Sequence, residues 1–538
     1  MAAILAALMV FPGLGDTRLW QDEAQTAVIS SNILESGLPK ASDGVNTVTL
    51  FSDHRDIKNG IYIWQPWLPN YIAAGSMWVF GKNSFGARFA FAAAFVILII
   101  VSYGFFKRWS GSDFRALLTT TLMVFNVTLL LHARQCRYYI LVPLFSILAI
   151  HYYLKIIKDP KFSSSVFLIF WFCALYHSFF PAAFLLAIAL GVHLLIVKPS
   201  AKTIYVFVAC ALVFVLINAP YTYYAQIWSR QFGVQPGYSS LHVFFLYFLR
   251  YTLTLNNFIF PFLVIISALF FSAANRYRKR GRDDLFALSV IICFTQLIGF
   301  SLLSDYPFSR YLIGIIPFFL YLGAVSIEYI SFNRRIIAWS LTALIVATNL
   351  LNVLPLRLFA AENPASPMWS TKGVDAQYLN VGNIGADYAK GEIETLMRTP
   401  VDSPFVRYLG SVRVPARGPM DAIIDYLLAN ANSNDRVKIA YGDLPLMFHT
   451  HFKIVSSAEI GDPAPDWIIP RKYNPLMQDK HFVDETYKYP YRMILLNTVD
   501  TQWNNRPDPV YHNFSMLMPF GSSDRLRLLQ KIETSKGK

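Results

Sequence analysis

Apolar runs recur along the first two thirds of the chain, separated by short polar turns. They lie near 1–15, 85–106, 116–132, 139–155, 164–178, 180–197, 203–220, 256–272, 285–303, 311–330 and 336–355. Runs of this length suit helices that cross a hydrocarbon layer of roughly 30 Å, so the pattern predicts about eleven spans. The first run is short, has no basic residue before it and no A-x-A-like site ahead of Trp20, which reads as a shortened start rather than a cleaved leader. Beyond Leu356 the apolar runs stop and Pro, Asp, Asn and charged residues become frequent. The expected division is therefore a transmembrane part, 1–355, and a water-soluble part, 356–538, large enough for its own core. In that second part Met420–Ala431 and Leu444–Thr450 read as helices, and Arg436–Tyr441, Trp467–Pro470 and Met493–Thr498 as strands, which predicts a small α/β fold.

Composition agrees with a membrane protein. Of the residues 55% are hydrophobic and 16% aromatic, and the mean hydropathy is +0.40. A soluble protein of this length cannot bury so much apolar surface. The net charge of +14 is spread over alternate turns: Lys107 and Arg108; Lys155, Lys158 and Lys161; Lys198 and Lys202; Arg276 to Arg282; Arg334 and Arg335. By the positive-inside rule these turns are cytoplasmic, the N-terminus is inside, and the soluble part lies outside in the periplasm or its equivalent. So dispersed a charge argues against a nucleic-acid surface. All four cysteines (Cys136, Cys173, Cys210 and Cys293) lie in or beside the spans, so the exported part is expected to fold without disulfides, and no Cys/His metal-ligand spacing occurs.

Unusual polar residues gather in the turns of the outward side. The first outer loop, 16–84, carries the acidic pair Asp22 and Glu23, then Asp53-His54-Arg55-Asp56, then Tyr62-Ile63-Trp64-Gln65-Pro66-Trp67-Leu68. Ala24, Ala27, Val28 and Leu34 at helical spacing, with Gly37 and Pro39 after them, predict a helix from Asp22 to Ser36 lying along the membrane interface. Carboxylates at a bilayer surface are costly unless they meet a cation, a proton or a substrate. The plain alternative makes Asp22 an N-cap with Gln25 as its capping partner, and Glu23 a complement to the helix dipole. Further outward turns hold His132 to Tyr139, Tyr176-His177-Ser178, and Ser304 to Tyr311. Their arginines oppose the topological rule, so each either snorkels to lipid headgroups or clamps a phosphate, which guanidinium binds bidentately.

Over residues 14–330 these elements resemble the GT-C glycosyltransferases that use polyprenyl-phosphate sugars, among them the protein O-mannosyltransferases and the lipid A aminoarabinose transferases. Trp20-Gln21-Asp22-Glu23-Ala24 with Gly37-Leu38-Pro39 is similar to the acidic pair after the family's first span, and Gln65-Pro66-Trp67-Leu68 to its Pro-Pro-Leu element. Arg134 to Tyr138 resembles its Arg-and-Tyr turn, and Ser309-Arg310-Tyr311-Leu312 with Pro317 its late Arg-Tyr segment. Gln65 stands where some relatives carry a basic residue, for which Arg55, Lys58 and Arg250 are candidate substitutes. Many relatives also carry a second acidic residue near Tyr138 or Tyr139, which this chain lacks.

The resemblance implies a polytopic α-helical membrane enzyme with a C-terminal soluble α/β domain. Such an enzyme moves a sugar from a polyprenyl-phosphate donor to an envelope lipid, glycan or protein, with inversion at the anomeric carbon. Asp22 would be the general base, with Glu23 supporting it or helping to hold a divalent cation such as Mg or Mn. Arg134, Arg137, Arg310, Tyr311 and Arg55 would bind the donor phosphate, and His54, Gln65, Tyr138 and His177 would line the acceptor pocket. An isolated histidine near an interface is as readily a structural hydrogen-bonder. The rival classes are a flippase for lipid-linked sugars, which would place polar groups at midplane and repeat its halves, and a non-catalytic envelope-assembly scaffold. Neither midplane groups nor repeats are seen in the sequence.

Overall fold

A computed structural model of the chain describes residues 1–51, 53–227, 240–274, 284–304, 307–353, 403–415, 417–439, 441–455, 464–471, 489–500, 505–507, 509, 512 and 525–532. The basic turn at 276–282 and the outward Asp305-Tyr306 lie outside them, as does 356–402 of the soluble part.

The chain is a polytopic helical bundle followed by a small sheet. Its helices are α1 (Ala2–Val10), α2 (Gln21–Ser36), α3 (Leu68–Phe80), α4 (Ser84–Ser110), α5 (Asp113–Val124), α6 (Val127–Ala133), α7 (Leu141–Lys158), α8 (Phe162–Val197), α9 (Ala201–Tyr224), α10 (Ser240–Thr254), α11 (Phe262–Ala274), α12 (Asp284–Leu303), α13 (Ile316–Ile330) and α14 (Arg335–Ala347). Among the described residues six helices are long and apolar enough to cross a membrane, or up to eight if each of two bent pairs counts as one span. The count is lower than the expected eleven partly because the runs 164–178 and 180–197 fall in the one stretch α8, and otherwise for local reasons. The first run forms only α1, about 14 Å long, and α14 stops after 13 residues. The run at 116–132 bends by 61° between α5 and α6, where Asn126 leaves helical geometry and caps the second piece by accepting from Leu129 N–H. The run at 256–272 bends by 95° just ahead of Phe262, where Pro261 has no N–H to continue a helix.

The stretch α8 is two helices that meet at a kink. Phe179 has φ −156 and ψ 90, and the chain reverses there. Phe167 stacks on Tyr152 of α7, while His193 Nδ1 lies 2.8 Å from the hydroxyl of the adjacent Tyr153. In a straight helix Phe167 and His193 would stand about 39 Å apart. Two arms therefore flank α7 and meet at Phe179, beside Tyr138 at the other end of the bundle. Gly299 of α12 lets the second arm close in, since a Cβ there would lie 2.2 Å from Leu185 Cδ2.

The loop expected to face outward, 16–84, links α1 to α4. Its helix α2 ends at Gly37, whose φ of +73 suits glycine, and a two-stranded ribbon, β1 (Ile57–Lys58) with β2 (Ile61–Tyr62), precedes α3. The expected interfacial helix is in fact enclosed. Glu23 to Ser30, Asn32 and Ile33 are all buried, because α2 packs between α3 and the helix Asp443–His449 of the soluble part. Its polar residues find partners inside: Ser30 Oγ donates to Asn70 O and Asn32 Nδ2 to Lys40 O.

Beyond the bundle a five-stranded sheet has the order β4 (Lys453–Ile454), β3 (Arg436–Ile439), β5 (Trp467–Ile469), β7 (Arg525–Lys531), β6 (Tyr491–Val499). The β4–β3 and β3–β5 pairs are parallel; β5–β7 and β7–β6 are antiparallel. The helix Pro419–Asn430 supplies Ile423, Ile424 and Leu427 to a core shared with Val437, Trp467, Leu526 and Leu528. Contacts to the bundle are specific. Arg18 N–H donates to Asp421 Oδ1, Leu19 N–H to His449 Nε2, and Gln21 Nε2 to Asp443 Oδ1 at 2.6 Å.

Candidate functional site

The two adjacent carboxylates face opposite ways. Consecutive residues of a helix are rotated by about 100° about its axis, so one face of α2 turns Asp22 towards a cavity while the next turns Glu23 into the protein. Glu23 is fully buried, with Oε1 accepting from Arg88 Nε at 2.6 Å and from Cys136 N–H at 2.9 Å, and Oε2 accepting from Arg88 Nη2 at 2.8 Å. Arg88 donates further to the Leu14, Thr17 and Arg18 carbonyls. The expected supporting or metal-holding role of Glu23 is therefore corrected: both oxygens are consumed in a buried ion pair that ties the chain before α2 to α4. The N-cap of α2 is Trp20, not Asp22, with Glu23 at the third position reaching back to Trp20 N–H.

Asp22 lines a cavity of about 610 Å3, a size suited to a small-molecule site. Its Oδ2 lies 3.0 Å from Arg310 Nη1 and 3.7 Å from Arg137 Nη2. Arg137 is held from behind. Its Nη1 donates to Gln65 Oε1 at 2.7 Å, to Gln25 Oε1 at 3.1 Å and to Thr26 Oγ1 at 3.2 Å. Burial works most strongly against the Arg137 cation, but Asp22 together with Tyr139 and Tyr138 more than offsets this, and the guanidinium holds its proton above the ordinary value. Arg310 rests on the Phe308 ring, 4.1 Å from its centroid.

Polar groups occupy one end of the cavity and aromatic groups the remainder. Tyr138, Phe179, Phe300 and Tyr311 stack in series, with centroid separations of 4.6 Å, 6.0 Å and 5.7 Å. Beyond them the wall continues through Phe180, Pro181 and Leu303 to Phe184, whose side chain is 62% exposed on the apolar flank of the bundle. The cavity therefore joins a cationic pocket to an apolar gap between the second arm of α8 and the end of α12.

Of the residues singled out in the sequence, Asp22, Gln65, Arg137, Tyr138, Arg310 and Tyr311 line this cavity. Four others do not. Arg134 turns away, donating to the Val10, Pro12 and Gly13 carbonyls that α1 leaves open at its C-terminal end. Arg55 is exposed, paired with Asp53 at 3.3 Å and laid over Phe51. His54 is exposed in the same turn with φ +54. His177 packs against Tyr221 of α9, ring centroids 4.7 Å apart. Of the candidate substitutes for a basic residue at 65, Lys58 donates to Tyr224 O and lies over its ring.

Three contributions went unread in the sequence. Arg88 is a lone cation near the start of an apolar helix, which by itself demands an acid partner. Gln25, one turn from Asp22, is the second amide on Arg137. Tyr441 of the soluble part left no sequence signal; burial raises its phenol well above the ordinary value, and Asp22 close by adds to this. Among the described residues, Asp22 is the one carboxylate lining the cavity, and no group of three His, Cys, Asp or Glu side chains is arranged to hold an ion.

The chain has the GT-C fold. It is similar to the crystal structure of ArnT from Cupriavidus metallidurans in the apo state, with TM-score 0.54 and 15% identity over 98% of this chain and 96% of that one. It is equally similar to the same protein bound to undecaprenyl phosphate, with TM-score 0.56 and 15% identity over 100% and 98%. The Archaeoglobus fulgidus oligosaccharyltransferase matches with TM-score 0.46 and 12% identity over 94% and 72%. No protein-family model and no curated protein matches the chain.

Proposed function

We propose that this chain is an integral membrane glycosyltransferase that moves a sugar from a polyprenyl-phosphate donor to an acceptor of the cell envelope, at the membrane face carrying Asp22. The observation that carries this reading is the two-part cavity: a carboxylate between two guanidiniums at one end, and an aromatic channel reaching the exposed Phe184 at the other. A lipid phosphate needs both at once, since its charge must be met by cations while its tail stays in hydrocarbon. ArnT, with which the chain shares its fold, has been crystallised with undecaprenyl phosphate.

In the proposed reaction the donor phosphate sits against Arg137 and Arg310, with the prenyl tail leaving past Phe184 and Leu303. Entry of the phosphate displaces Asp22 from Arg310. The freed carboxylate accepts the proton of the acceptor hydroxyl or amine as that atom attacks the anomeric carbon. The bond from anomeric carbon to phosphate oxygen breaks, its electron pair leaves with the phosphate, and the two guanidiniums stabilise the charge that develops. A single displacement of this kind inverts the anomeric centre. Gln25, Gln65 and Thr26 act by holding Arg137 in place.

The same reading puts residues 1–355 in the cytoplasmic membrane as the catalytic part, with the N-terminus inside and 356–538 exported over the donor site. The test is transfer of sugar from synthetic polyprenyl-phosphate sugars by purified protein, with Asp22→Asn as the comparison. Transfer that depends on Asp22 supports the reading; no transfer by the folded wild type overturns it in favour of a flippase or scaffold, and transfer unaffected by Asp22→Asn removes Asp22 as the general base.

A further inference from the structure

The segment Asn505–Arg506 of the soluble part is buried among outward turns of the bundle. Gln135 Nε2 donates to Asn505 O at 3.3 Å, and Asn505 Nδ2 donates to Arg18 O at 3.2 Å. These bonds tie the segment to the turn after α6 and to the chain just before α2. From that anchor the Arg506 guanidinium reaches the ring of Phe308, 5.0 Å from its centroid. The same ring carries Arg310, whose Nη1 meets Asp22. One aromatic ring therefore holds two guanidiniums, one from the bundle and one from the soluble part.

An aromatic face attracts a cation, and more strongly when both are out of water. Two like charges on one ring nevertheless repel, and the arrangement gains from an anion brought to the Arg310 side. The soluble part touches the same corner a second time, through Asp443 and its bond to Gln21, the neighbour of Asp22. Tyr441 stands two residues before Asp443, its carbonyl accepting from Arg471 Nη1 at 3.2 Å.

We infer that Arg506 is a positioning residue through which the soluble part completes the lipid-phosphate site: it fixes Phe308, and thereby Arg310, and adds a third positive charge, behind those of Arg137 and Arg310. This rests on the proposed donor site. It assigns to the soluble part a share in donor binding, a role distinct from choosing the acceptor.

The test uses the full chain in lipid nanodiscs and reads binding, not transfer. A polyprenyl phosphate of defined length and the uncharged polyprenol of the same length are titrated against wild type, Arg506→Met, Arg506→Lys and Phe308→Leu. Wild type is expected to prefer the phosphate. Arg506→Met should weaken phosphate affinity about tenfold and leave polyprenol affinity unchanged, with Arg506→Lys intermediate and Phe308→Leu not additive with Arg506→Met. Equal loss of phosphate and polyprenol binding would mean general damage to the fold and overturns the inference, as does an Arg506→Met protein that binds both ligands like wild type. A wild type with no preference for the phosphate sinks the donor site itself, and this inference with it. A protein that shows the expected binding pattern but transfers no sugar loses only the glycosyltransferase reading.

Discussion

Asp22 and Arg310 form an ion pair 3.0 Å long across the mouth of the cavity, joining the start of α2 to the turn before α13. The pair is half-open to solvent, with the Asp22 side chain 26% exposed. It is therefore available for exchange: a carboxylate occupies the place that a donor phosphate would take on Arg310.

Replacing Asp22 by Asn separates binding from chemistry. Turnover should fall by about 10²–10⁴-fold, the usual scale for losing a general base. Affinity for polyprenyl phosphate should hold or rise, because the competing negative charge is gone. Parallel titration and single-turnover assays check both halves, and a variant that loses affinity along with turnover would contradict the displacement of Asp22 by phosphate.

Glu23 should behave as a structural residue although it is next in sequence. Glu23→Gln leaves the Arg88 cation buried without its partner, and breaking such a pair costs about 3–5 kcal/mol. The melting temperature should drop while activity per folded molecule stays near wild type. Adding Arg88→Met should recover part of the stability, since the unpaired charge is then removed.

Arg134 and Arg310 make a second contrast. Arg134→Ala frees the carbonyls of Val10, Pro12 and Gly13, for a loss on the order of 2–4 kcal/mol at the α1 end and no change in donor affinity. Arg310→Ala should weaken the donor phosphate with little effect on melting. Titration and thermal unfolding of the two variants side by side distinguish the roles, and a fall in donor affinity for Arg134→Ala would return that residue to the site.

The junction between bundle and soluble part should be sensitive to acid. His449 accepts a hydrogen bond from Leu19 N–H, and burial, with Arg18 and Arg88 nearby, pushes its imidazole down from 6.5 to about 3. The unfolded chain takes up a proton near 6.5 that the folded chain refuses until about 3. Stability is thus complete above about 6.5 and is lost progressively as the pH falls towards 3. His512, also pushed down to about 3 by burial, with Arg134 adding to the effect, carries the same sign. Melting temperatures between about pH 7.5 and pH 5 should decline for wild type and decline less for His449→Gln; identical slopes would remove His449 from the account.

Much of the site was legible because its chemistry violates the local pattern. An acid pair beside a membrane and arginines in turns that the topological rule leaves neutral are both costly without a purpose, and Asp22, Arg137 and Arg310 do converge on one cavity. The same signal was too generous. It also marked Glu23 and Arg134, which are charged for internal reasons, and Arg55 and His54, which are simply solvated. A turn with four polar residues does not say which way each one points: Asp56, next to Arg55, is fully buried and accepts from Thr49 and Leu50.

What the chain determined by itself is its class: recurring apolar runs, the end of those runs near 355, and helix boundaries such as Gly37 follow from local hydropathy and backbone preference. Tertiary structure alone decided that Asp22 opens to a cavity while Glu23 is sealed against Arg88, that α8 folds back at Phe179, and that Arg506 shares a ring with Arg310. The reason is physical. Hydrophobic periodicity and turn chemistry act between near neighbours, whereas ion pairs and cavities arise between segments that only packing brings together, and a rotation of about 100° between neighbouring helical residues is enough to change a surface into a core.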